Sequence, residues 1–282
     1  MSLKIDNIYF SYKNHPVLKG VSFEAGKGEL ISVLGPNGVG KSTLFKCILG
    51  LLKPEQGDVI INGTSLKEMT PAMLAREIAY IPQFHNPVFS YTVFDMVLMG
   101  TTAQMSKLSV PKEEQMKYAE EALKILDIYH LKDRNYANIS GGERQMTLIA
   151  RAIAQQAKIL IMDEPSASLD FGNKIRLMKT VRTLTNNGYT VIQSTHDPEQ
   201  ACFYSSKILA MYDGQNLAFG RPPDIIDSRL ISKLYGMDID VINLDRQVIS
   251  CVPKDLHRMN KELSWLTPKF PETEETIQNL SE

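Results

Sequence analysis

Gly35-Pro36-Asn37-Gly38-Val39-Gly40-Lys41-Ser42 is the stretch that decides the fold of this 282-residue chain. It has the form GxxxxGK[ST], it follows the apolar run Glu29 to Leu34, and it opens a segment with helical periodicity, Ser42 to Leu52. In the strand, loop and helix that this pattern predicts, the glycines let backbone N–H groups turn inward around a phosphate. The helix directs its positive end at the same anion, so we predict a phosphate-binding loop.

Two side chains of this loop carry the chemistry. Lys41 is predicted to supply a positive charge to the β- and γ-phosphates of a nucleotide, and the Ser42 hydroxyl can ligate Mg²⁺. The residues predicted to bind the nucleotide in this loop are Gly35, Pro36, Asn37, Gly38, Val39, Gly40, Lys41, Ser42 and Thr43.

A second apolar run, Ile159 to Met162, ends in Asp163 and Glu164. Four apolar residues in succession predict a central strand of a parallel sheet, and ligands bind at the carboxyl ends of such strands. Asp163 is predicted to hold Mg²⁺, and Glu164 to accept a proton from, or to orient, the water that attacks the γ-phosphate. Two acids could simply cap a strand, but the phosphate loop upstream favours the catalytic interpretation.

Hydrophobic periodicity predicts β-structure at the start of the chain and a helical insert in its middle. Apolar and polar residues alternate over 3–12 and 17–25, as in antiparallel strands, and the pattern from Thr92 to Gln156 is helical. A further helix is expected near 174–185. The other predicted strands are 57–63, 76–82, 159–162, 191–194, two within 207–221 around Asp213-Gly214, and a hairpin that 239–242 and 247–251 could form.

Composition excludes several classes of function. The chain has 31 basic and 32 acidic side chains and a net charge of −1, so no overall field favours nucleic acid or an anionic membrane surface. Cys47, Cys202 and Cys251 are widely spaced, as expected of reduced, mostly buried cysteines in a cytosolic protein. No apolar run approaches the ~18 residues needed to cross a bilayer, and no signal peptide is evident. Any role at a membrane would therefore require a partner.

Ser140-Gly141-Gly142-Glu143-Arg144-Gln145 lies between the two motifs and precedes an apolar helical segment, 146–153. Its N–H groups and hydroxyl could form a second anion site. In this order, the motifs resemble those of ATP-binding subunits of ABC transporters over roughly residues 3 to 236. The resemblance implies an α/β fold: a P-loop NTPase (RecA-like) core with an N-terminal antiparallel β-subdomain and an inserted, ABC-specific α-helical subdomain.

The resemblance also implies roles for residues outside the phosphate loop. Gln83, in Tyr-Ile-Pro-Gln, falls where the family senses Mg²⁺ and the attacking water, and His196 falls where the family contacts the γ-phosphate. Asp170 matches the family's D-loop. Tyr12 falls where an aromatic ring lies under the adenine, with Phe10 and Tyr9 as competitors for that position.

For the segment Ser140, Gly141, Gly142 and Glu143, the resemblance implies a head-to-tail dimer. In that dimer, each copy of the segment closes over ATP that is held by the other subunit. Ile139 and Glu143 stand where the family more often has Leu and Gln, whereas Gly141, the residue least replaceable on steric grounds, is intact.

The expected domain organisation is an ABC ATP-binding domain over 1–236 and a small C-terminal extension over 237–282 that ends in an acidic, disordered tail. Within the domain, a core of 1–88 and 158–236 is split around a helical insert of about 89–157.

The resemblance implies that the protein is an ATPase that works with integral-membrane permease subunits and, indirectly, an external substrate-binding protein. It would lie peripherally at the cytoplasmic face of the membrane. Segments such as Val97 to Gly100 and Asp170 to Arg176 resemble importers of iron-siderophore, haem or cobalamin type metal chelates. Zinc and manganese importers share much of this pattern and remain an alternative. The helical insert is expected to receive a permease helix.

Two other classes of protein fit the sequence less well. A soluble ABC protein acting on ribosomes or DNA ends would predict two cassettes or a long coiled coil, and this chain has one cassette and no extended heptads. A non-hydrolysing regulatory cassette would be expected to lack Glu164, His196 or the glycines of the Ser140 segment, and all of these are present.

Overall fold

Two β-sheets, a hairpin and nine helices make up the part of the chain that the computed structural model describes, which is residues 2–83, 89–105, 109–245 and 247–255. The predicted acidic tail, 271–282, lies outside these residues. The strands are β1 (Leu3–Tyr12), β2 (His15–Ala25), β3 (Leu30–Leu34), β4 (Gln56–Ile61), β5 (Thr64–Ser65), β6 (Ile78–Ile81), β7 (Ile159–Met162), β8 (Thr190–Thr195), β9 (Lys207–Tyr212), β10 (Gln215–Gly220), β11 (Ile239–Asp245) and β12 (Val248–Pro253).

The helices connect these strands and form the middle of the chain. They are α1 (Lys41–Ile48), α2 (Pro71–Glu77), α3 (Val93–Leu98), α4 (Glu113–Ile125), α5 (Gly141–Ala154), α6 (Phe171–Asn186), α7 (Pro198–Tyr204), α8 (Pro222–Ile225) and α9 (Ser228–Tyr235). Short 3-10 turns occupy Leu66–Glu68, Met99–Gln104, Tyr129–Leu131 and Tyr136–Asn138.

The central sheet has the strand order β10-β9-β3-β8-β7-β6. All neighbouring pairs are parallel except β9 and β10, which form an antiparallel hairpin at the edge. Every residue of β3, β7 and β8 is buried. Because strands covered on both faces bury side chains in both directions, β7 is apolar throughout and β3 is apolar except for Ser32, instead of alternating apolar with polar residues.

The second sheet, β2-β1-β4-β5, is antiparallel throughout. Leu3 pairs with Ala25 on one side and with Ile61 on the other, which confirms the predicted antiparallel opening of the chain. Gly57, the second residue of β4, has φ of 90°. A Cβ at this position would overlap the backbone carbonyls of Asp6 and Asn7. Only glycine fits this irregular point in the pairing of β1 with β4.

The middle of the chain is helical, as predicted, and packs through α3, α4 and α5. Val93, Met96, Leu123 and Leu148 belong to one buried cluster that also reaches the central sheet through Leu160. The insert therefore shares a hydrophobic core with the sheet that carries Asp163 and Glu164.

Helix ends differ from the predictions where local chemistry intervenes. The first predicted helix ends at Ile48 and not at Leu52, because the chain turns at Gly50 with φ of 66°. The predicted strand 76–82 begins at Ile78, because Glu77 ends α2. Helix α2 starts with Pro71 after the capping residue Thr70, a sequence signal that the periodicity did not reveal.

The last described elements form a small layer on the central sheet. Strands β11 and β12 pair as an antiparallel hairpin, as the sequence suggested. Ile231 and Leu234 of α9 share a buried cluster with Ile249 of the hairpin and with Leu34, the residue just before the phosphate loop. Since α9 and the hairpin share one cluster, the predicted boundary near residue 236 passes through packed structure and stays a prediction.

Within the described residues, none of the helices combines the length and apolar character that crossing a membrane requires.

Candidate nucleotide-binding site

The phosphate loop joins β3 to α1 at the carboxyl end of the central sheet. Gly38 and Gly40 have φ of 83° and 107°, in the region that favours glycine, and this turns the loop back over the start of α1. A Cβ at Gly35 would lie 2.6 Å from the carbonyl oxygen of Met211, so the loop also needs glycine where it passes β9. Helix α1 begins at Lys41 with no acidic residue in its first turn, which leaves its positive end available for an anion.

A cavity of about 410 Å³ opens above this loop. It brings together nine of the nineteen predicted site residues, which come from distant parts of the sequence. Its lining residues are Val17, Asn37, Gly38, Gly40, Lys41, Ser42, Thr43, Gln83, Asp163 and Glu164. Pro36 and Val39 line a second cavity of about 450 Å³ that shares Val17, Asn37 and Gly38 with the first.

Lys41 is held inside the loop by backbone carbonyls. Its Nζ donates to Gly35 O at 2.6 Å and to Pro36 O at 3.1 Å, and it lies 3.6 Å from Glu164 Oε1. Burial lowers the pKa of Lys41, while the carboxylates of Glu164 and Asp163 act in the opposite direction. The ammonium group is thus fixed at the mouth of an N–H-rich loop, where a phosphate could replace its carbonyl partners.

Glu164 is the point at which the predicted catalytic residues converge. In addition to Lys41, its carboxylate is met by His196, with Nδ1 3.4 Å from Oε2, and by Gln83, whose Nε2 donates to Oε2 at 3.4 Å. The Glu164 backbone has φ of 43°, an uncommon conformation for a residue other than glycine, at a cost on the order of 1–3 kcal/mol. This left-handed turn lets the chain leave β7 directly after Asp163.

Asp163 and Glu164 share a partner that sequence reasoning missed. The Ser194 hydroxyl donates to Asp163 Oδ1 at 2.7 Å and accepts from the Glu164 N–H at 2.8 Å. Ser194 is fully buried near the end of β8, two residues before His196. The available signal was a polar residue inside a fully buried strand, because a buried hydroxyl needs hydrogen-bond partners.

The predicted metal ligands Ser42, Gln83 and Asp163 all line the same cavity. They offer a hydroxyl, an amide and a carboxylate, which is the oxygen-rich set that Mg²⁺ prefers, with open space for a phosphate and for water. The residues present therefore fit the ion.

Ser140 and Glu143 form a reciprocal cap at the start of α5. The Ser140 N–H and Oγ donate to Glu143 Oε2 at 2.8 Å and 2.7 Å, and the Glu143 N–H donates to Ser140 Oγ at 3.3 Å. These bonds from Ser140 hold the pKa of the Glu143 carboxyl below its usual value. The segment does not line the cavity that contains Lys41, so a single chain keeps the two predicted anion sites apart.

The two signature glycines, Gly141 and Gly142 of the Ser140 segment, have different surroundings. Gly141 is exposed, and a Cβ built there has nothing within 4 Å. Gly142 is buried, and a Cβ there would lie 2.7 Å from Cγ of Asn173. Asp170 holds that asparagine in place: it caps α6 by accepting from the N–H and Nδ2 of Asn173, both at 2.8 Å. Packing thus joins the predicted D-loop residue to the Ser140 segment.

The predicted adenine-stacking residue lies at the exposed end of β1. Tyr12 is 44% exposed and contacts Phe10 edge to face, whereas Phe10 itself is buried. Tyr12 does not line either of the two cavities beside the loop, but Val17, which the sequence did not single out, lines both. Of the three aromatic candidates, Tyr12 is the most exposed; its role stays a prediction.

Comparison with known proteins gives one consistent result. The family model described as ABC transporter matches residues 18–167. An uncharacterized ABC transporter ATP-binding protein of Haemophilus influenzae is 40% identical over 243 residues, which is 86% of this chain and 92% of the relative. The "Probable iron chelatin transport ATP-binding protein" of Helicobacter pylori is 33% identical and covers 88% of this chain and 98% of its own length.

Among solved structures, an inward-facing ABC transporter assigned to the metal-chelate type superimposes with a TM-score of 0.80 at 30% identity. The match covers 90% of this chain and 99% of the chain in that structure.

Proposed function

The chain belongs to the ABC transporter family as an ATP-binding subunit with ATPase activity, and from this membership we propose that it hydrolyses ATP in the cavity between the phosphate loop and Glu164. One observation carries this assignment of the site. Lys41, Gln83 and His196 meet at the Glu164 carboxylate, beside the N-terminus of α1, whose first turn contains no acidic residue. Such a set can bind a triphosphate and activate the water that attacks it.

In this proposal each residue has one task. The loop N–H groups and Lys41 hold the β- and γ-phosphates, which would draw the Lys41 ammonium away from Gly35 O and Glu164. Glu164 then accepts the proton of the attacking water, and Gln83 and His196 orient the water and the γ-phosphate. Mg²⁺, held by Ser42, Asp163 and Gln83, would supply charge neutralisation between the phosphates.

We propose that two copies of the chain complete the site. The exposed Ser140 and Gly141 have the features of a phosphate site but do not line the cavity of their own chain. Gly141 has open space around it, so nothing inside one chain explains a glycine there. A head-to-tail dimer in which this segment, with Gly142 and Glu143, closes over the ATP of the other copy accounts for both observations. Asp170 lies beside the same segment.

The proposed contact with the membrane permease is a groove between core and insert. A cavity of about 710 Å³ lies between α2 and β6 on one side and α5 on the other. Its lining residues are Ala72, Ala75, Ile78, Tyr80, Met99, Gly100, Thr102, Ala103, Met105, Ser109, Arg151, Ala152 and Gln155. Because Gln83 follows β6 by two residues, a permease helix in this groove would act on the strand that leads to Gln83.

The transporter is proposed to be an importer of iron-siderophore, haem or cobalamin type metal chelates. Similarity to the Helicobacter pylori protein and to the transporter of metal-chelate type supports this cargo. The subunit would lie peripherally at the cytoplasmic face of the membrane, with a substrate-binding protein acting on the other side. A zinc or manganese importer is the alternative.

The division of the chain is proposed on the same basis: an ABC domain over 1–236, whose core of 1–88 and 158–236 surrounds an insert of about 89–157, and an extension over 237–282.

Glu164→Gln tests the proposed site. The amide cannot accept the proton, so ATP with Mg²⁺ should convert the variant to a stable dimer, measured by light scattering after size exclusion. Hydrolysis should fall at least about a hundredfold. Glu24→Gln, which changes an exposed acid on β2, is the matched control and should behave like wild type. Wild-type turnover in Glu164→Gln, or no association with ATP, would overturn the assignment.

The cargo is tested separately. The permease that co-purifies with the subunit would be reconstituted in vesicles, and ATP-driven uptake would be compared for a ferric siderophore, haem, cobalamin, Zn²⁺ and Mn²⁺. Uptake of a bare ion without uptake of any chelate would replace the proposed cargo but leave the ATPase assignment intact.

A further inference from the structure

A hydrogen bond connects the C-terminal part of the chain to the backbone of His196. The Tyr235 hydroxyl, on the last residue of α9, donates to the His196 carbonyl oxygen at 2.7 Å. The two residues are 39 positions apart, and none of the nucleotide-binding motifs includes Tyr235. The phenol therefore touches the residue whose imidazole lies 3.4 Å from Glu164.

The backbone of His196 lies in a turn between two elements. Strand β8 ends at Thr195 and α7 begins at Pro198. The carbonyls on either side of His196 accept backbone bonds, that of Thr195 from the Gly35 N–H at 3.4 Å and that of Asp197 from the Ala201 N–H at 3.1 Å. Asp197 makes two further hydrogen bonds in this turn. Its N–H donates to Thr195 Oγ1 at 3.1 Å, and its carboxylate accepts from the Gln200 N–H at 2.9 Å. The Tyr235 hydroxyl donates to the carbonyl of the same peptide group whose N–H, that of Asp197, donates to Thr195.

Helix α9 is in turn positioned by the C-terminal hairpin. Two serines one helical turn apart hold β11: Ser228 Oγ accepts from the Val241 N–H at 2.8 Å, and Ser232 Oγ accepts from the Ile239 N–H at 2.9 Å. The helix stops at Gly236, whose φ of 67° lets the chain reverse into the hairpin immediately after Tyr235. We call the three elements α9, β11 and β12 together the clasp.

Strand β12 of the clasp contacts α7, the helix that follows His196. The Cys251 N–H of β12 donates to Glu199 Oε1 of α7 at 2.8 Å. Leu234 and Ile249 of the clasp pack in one buried cluster with Cys202 of α7 and with Leu34. The clasp thus contacts the His196 turn through Tyr235 and the next helix through Cys251, and it is packed against the base of the phosphate loop.

The Tyr235 hydroxyl, which donates to the His196 carbonyl, resists deprotonation. Burial, together with the negative charge of Asp197, raises the pKa of the Tyr235 hydroxyl well above its usual value. The phenol therefore remains protonated, and it keeps donating to the carbonyl throughout the range in which an ATPase would be assayed.

We propose that Tyr235 is a positioning residue for ATP hydrolysis: through the His196 carbonyl it holds the turn so that the imidazole stays at Glu164. The inference rests on the proposed function of that site. The hairpin of β11 and β12, which is the described part of the C-terminal extension, would then contribute to hydrolysis, because it orients α9 and α9 carries Tyr235.

Tyr235→Phe removes only the hydroxyl and is the direct test. With purified full-length chain, kcat for ATP hydrolysis should fall roughly threefold to tenfold, the ratio expected for losing one hydrogen bond. The KM for ATP should stay within about twofold, because the phosphate loop is untouched. Tyr118→Phe is the matched control: its hydroxyl donates to Glu114, also at 2.7 Å, on the distant α4, and its removal should leave both constants unchanged.

A second comparison separates positioning from general weakening of the fold. In a His196→Gln background, Tyr235→Phe should cause no further loss, since the group that it positions is gone. An unchanged kcat in Tyr235→Phe, an equal loss in the His196→Gln background, or a change in KM alone would each overturn the inference.

Failure of this inference is distinguishable from failure of the proposed function. If His196→Gln and Glu164→Gln lose activity while Tyr235→Phe does not, only the role of Tyr235 is wrong. If those two variants hydrolyse ATP like wild type, the site itself is misassigned.

Discussion

The hydroxyl of Ser194 bridges the ends of two neighbouring strands by donating to Asp163 Oδ1 at 2.7 Å while accepting from the next peptide N–H, that of Glu164, at 2.8 Å. One buried side chain on β8 therefore fixes both the carboxylate proposed to hold Mg²⁺ and the backbone from which the proposed general base extends. Asp163 is only 9% exposed, so the loss of this partner could not be fully replaced by water.

Ser194→Ala should impair the metal site more than the fold. We expect unfolding free energy to fall by about 1–3 kcal/mol, the Mg²⁺ concentration for half-maximal hydrolysis to rise several-fold, and kcat to fall about tenfold. Urea denaturation and Mg²⁺ titration of the ATPase rate measure these changes. Ser32→Ala removes an equally buried hydroxyl on β3, bonded to Gln193 and Ser205, and should cost similar stability with little effect on the Mg²⁺ requirement. Identical Mg²⁺ curves for the two variants would contradict the prediction.

Lys41→Ala should abolish tight nucleotide binding. The variant loses the charge that would meet the β- and γ-phosphates, so ATP affinity measured by calorimetry should fall at least about a hundredfold. Lys46→Ala, on the exposed face of the same helix, keeps the loop intact and is expected to bind ATP normally. Retention of wild-type affinity in Lys41→Ala would show that the loop is not the phosphate site.

Alanine at the two signature glycines should have opposite effects on the isolated chain. Gly142→Ala forces a Cβ to 2.7 Å from Asn173, whose amide is held by Asp170, and should lower stability by roughly 1–3 kcal/mol. Gly141→Ala meets nothing within 4 Å and should leave stability equal or raise it by up to about 1 kcal/mol, because alanine favours the helix.

The same Gly141→Ala variant should nevertheless fail to dimerise. Introduced with Glu164→Gln, it should stay monomeric in ATP and Mg²⁺, since the added methyl group lies where the proposed second subunit brings its nucleotide. Light scattering distinguishes the outcomes, and a normal ATP-driven dimer would refute the proposed role of Gly141.

Glu143 should make the start of α5 sensitive to acid. Its pKa is lowered in the folded chain by the bonds from Ser140, so its stabilising effect is complete above the unfolded value of about 4.3 and disappears as pH falls through the folded pKa. Glu143→Gln keeps a capping acceptor but loses the charge and should cost up to about 1 kcal/mol at pH 7.

The loss of folding stability caused by Glu143→Gln should vanish when the Glu143 carboxyl of the wild type is protonated. Urea denaturation of wild type and Glu143→Gln at several pH values between about 2 and 8 measures the difference, with Glu24→Gln as the exposed control. A stability gap that grows as the solution becomes more acidic would have the wrong sign and would exclude the charged cap as its source.

Much of the fold could be predicted because its signals are local. Three patterns predict the backbone conformation and the burial of their own residues without reference to the rest of the chain. They are the glycine loop, the apolar runs of β3 and β7, and the alternation of apolar and polar residues in β1. Helix α2 was missed although Thr70 and Pro71 mark its start, since seven residues are too few for a clear periodicity. Tyr12 shows the limit of motif matching, because its position in the sequence does not determine which cavity, if any, its ring faces.

The sequence by itself determined which chemical groups this protein has and the order in which they occur: a phosphate loop with Lys41, the pair Asp163 and Glu164, and His196. These groups can be recognised in the sequence because phosphate binding and hydrolysis require particular residue types at particular spacings. Only the tertiary structure decided that Ser194 serves both acids and that Tyr235 reaches the His196 carbonyl. Such contacts depend on strand register and on how α9 packs, and these are set by hydrophobic burial across the whole chain rather than by any local pattern of residues.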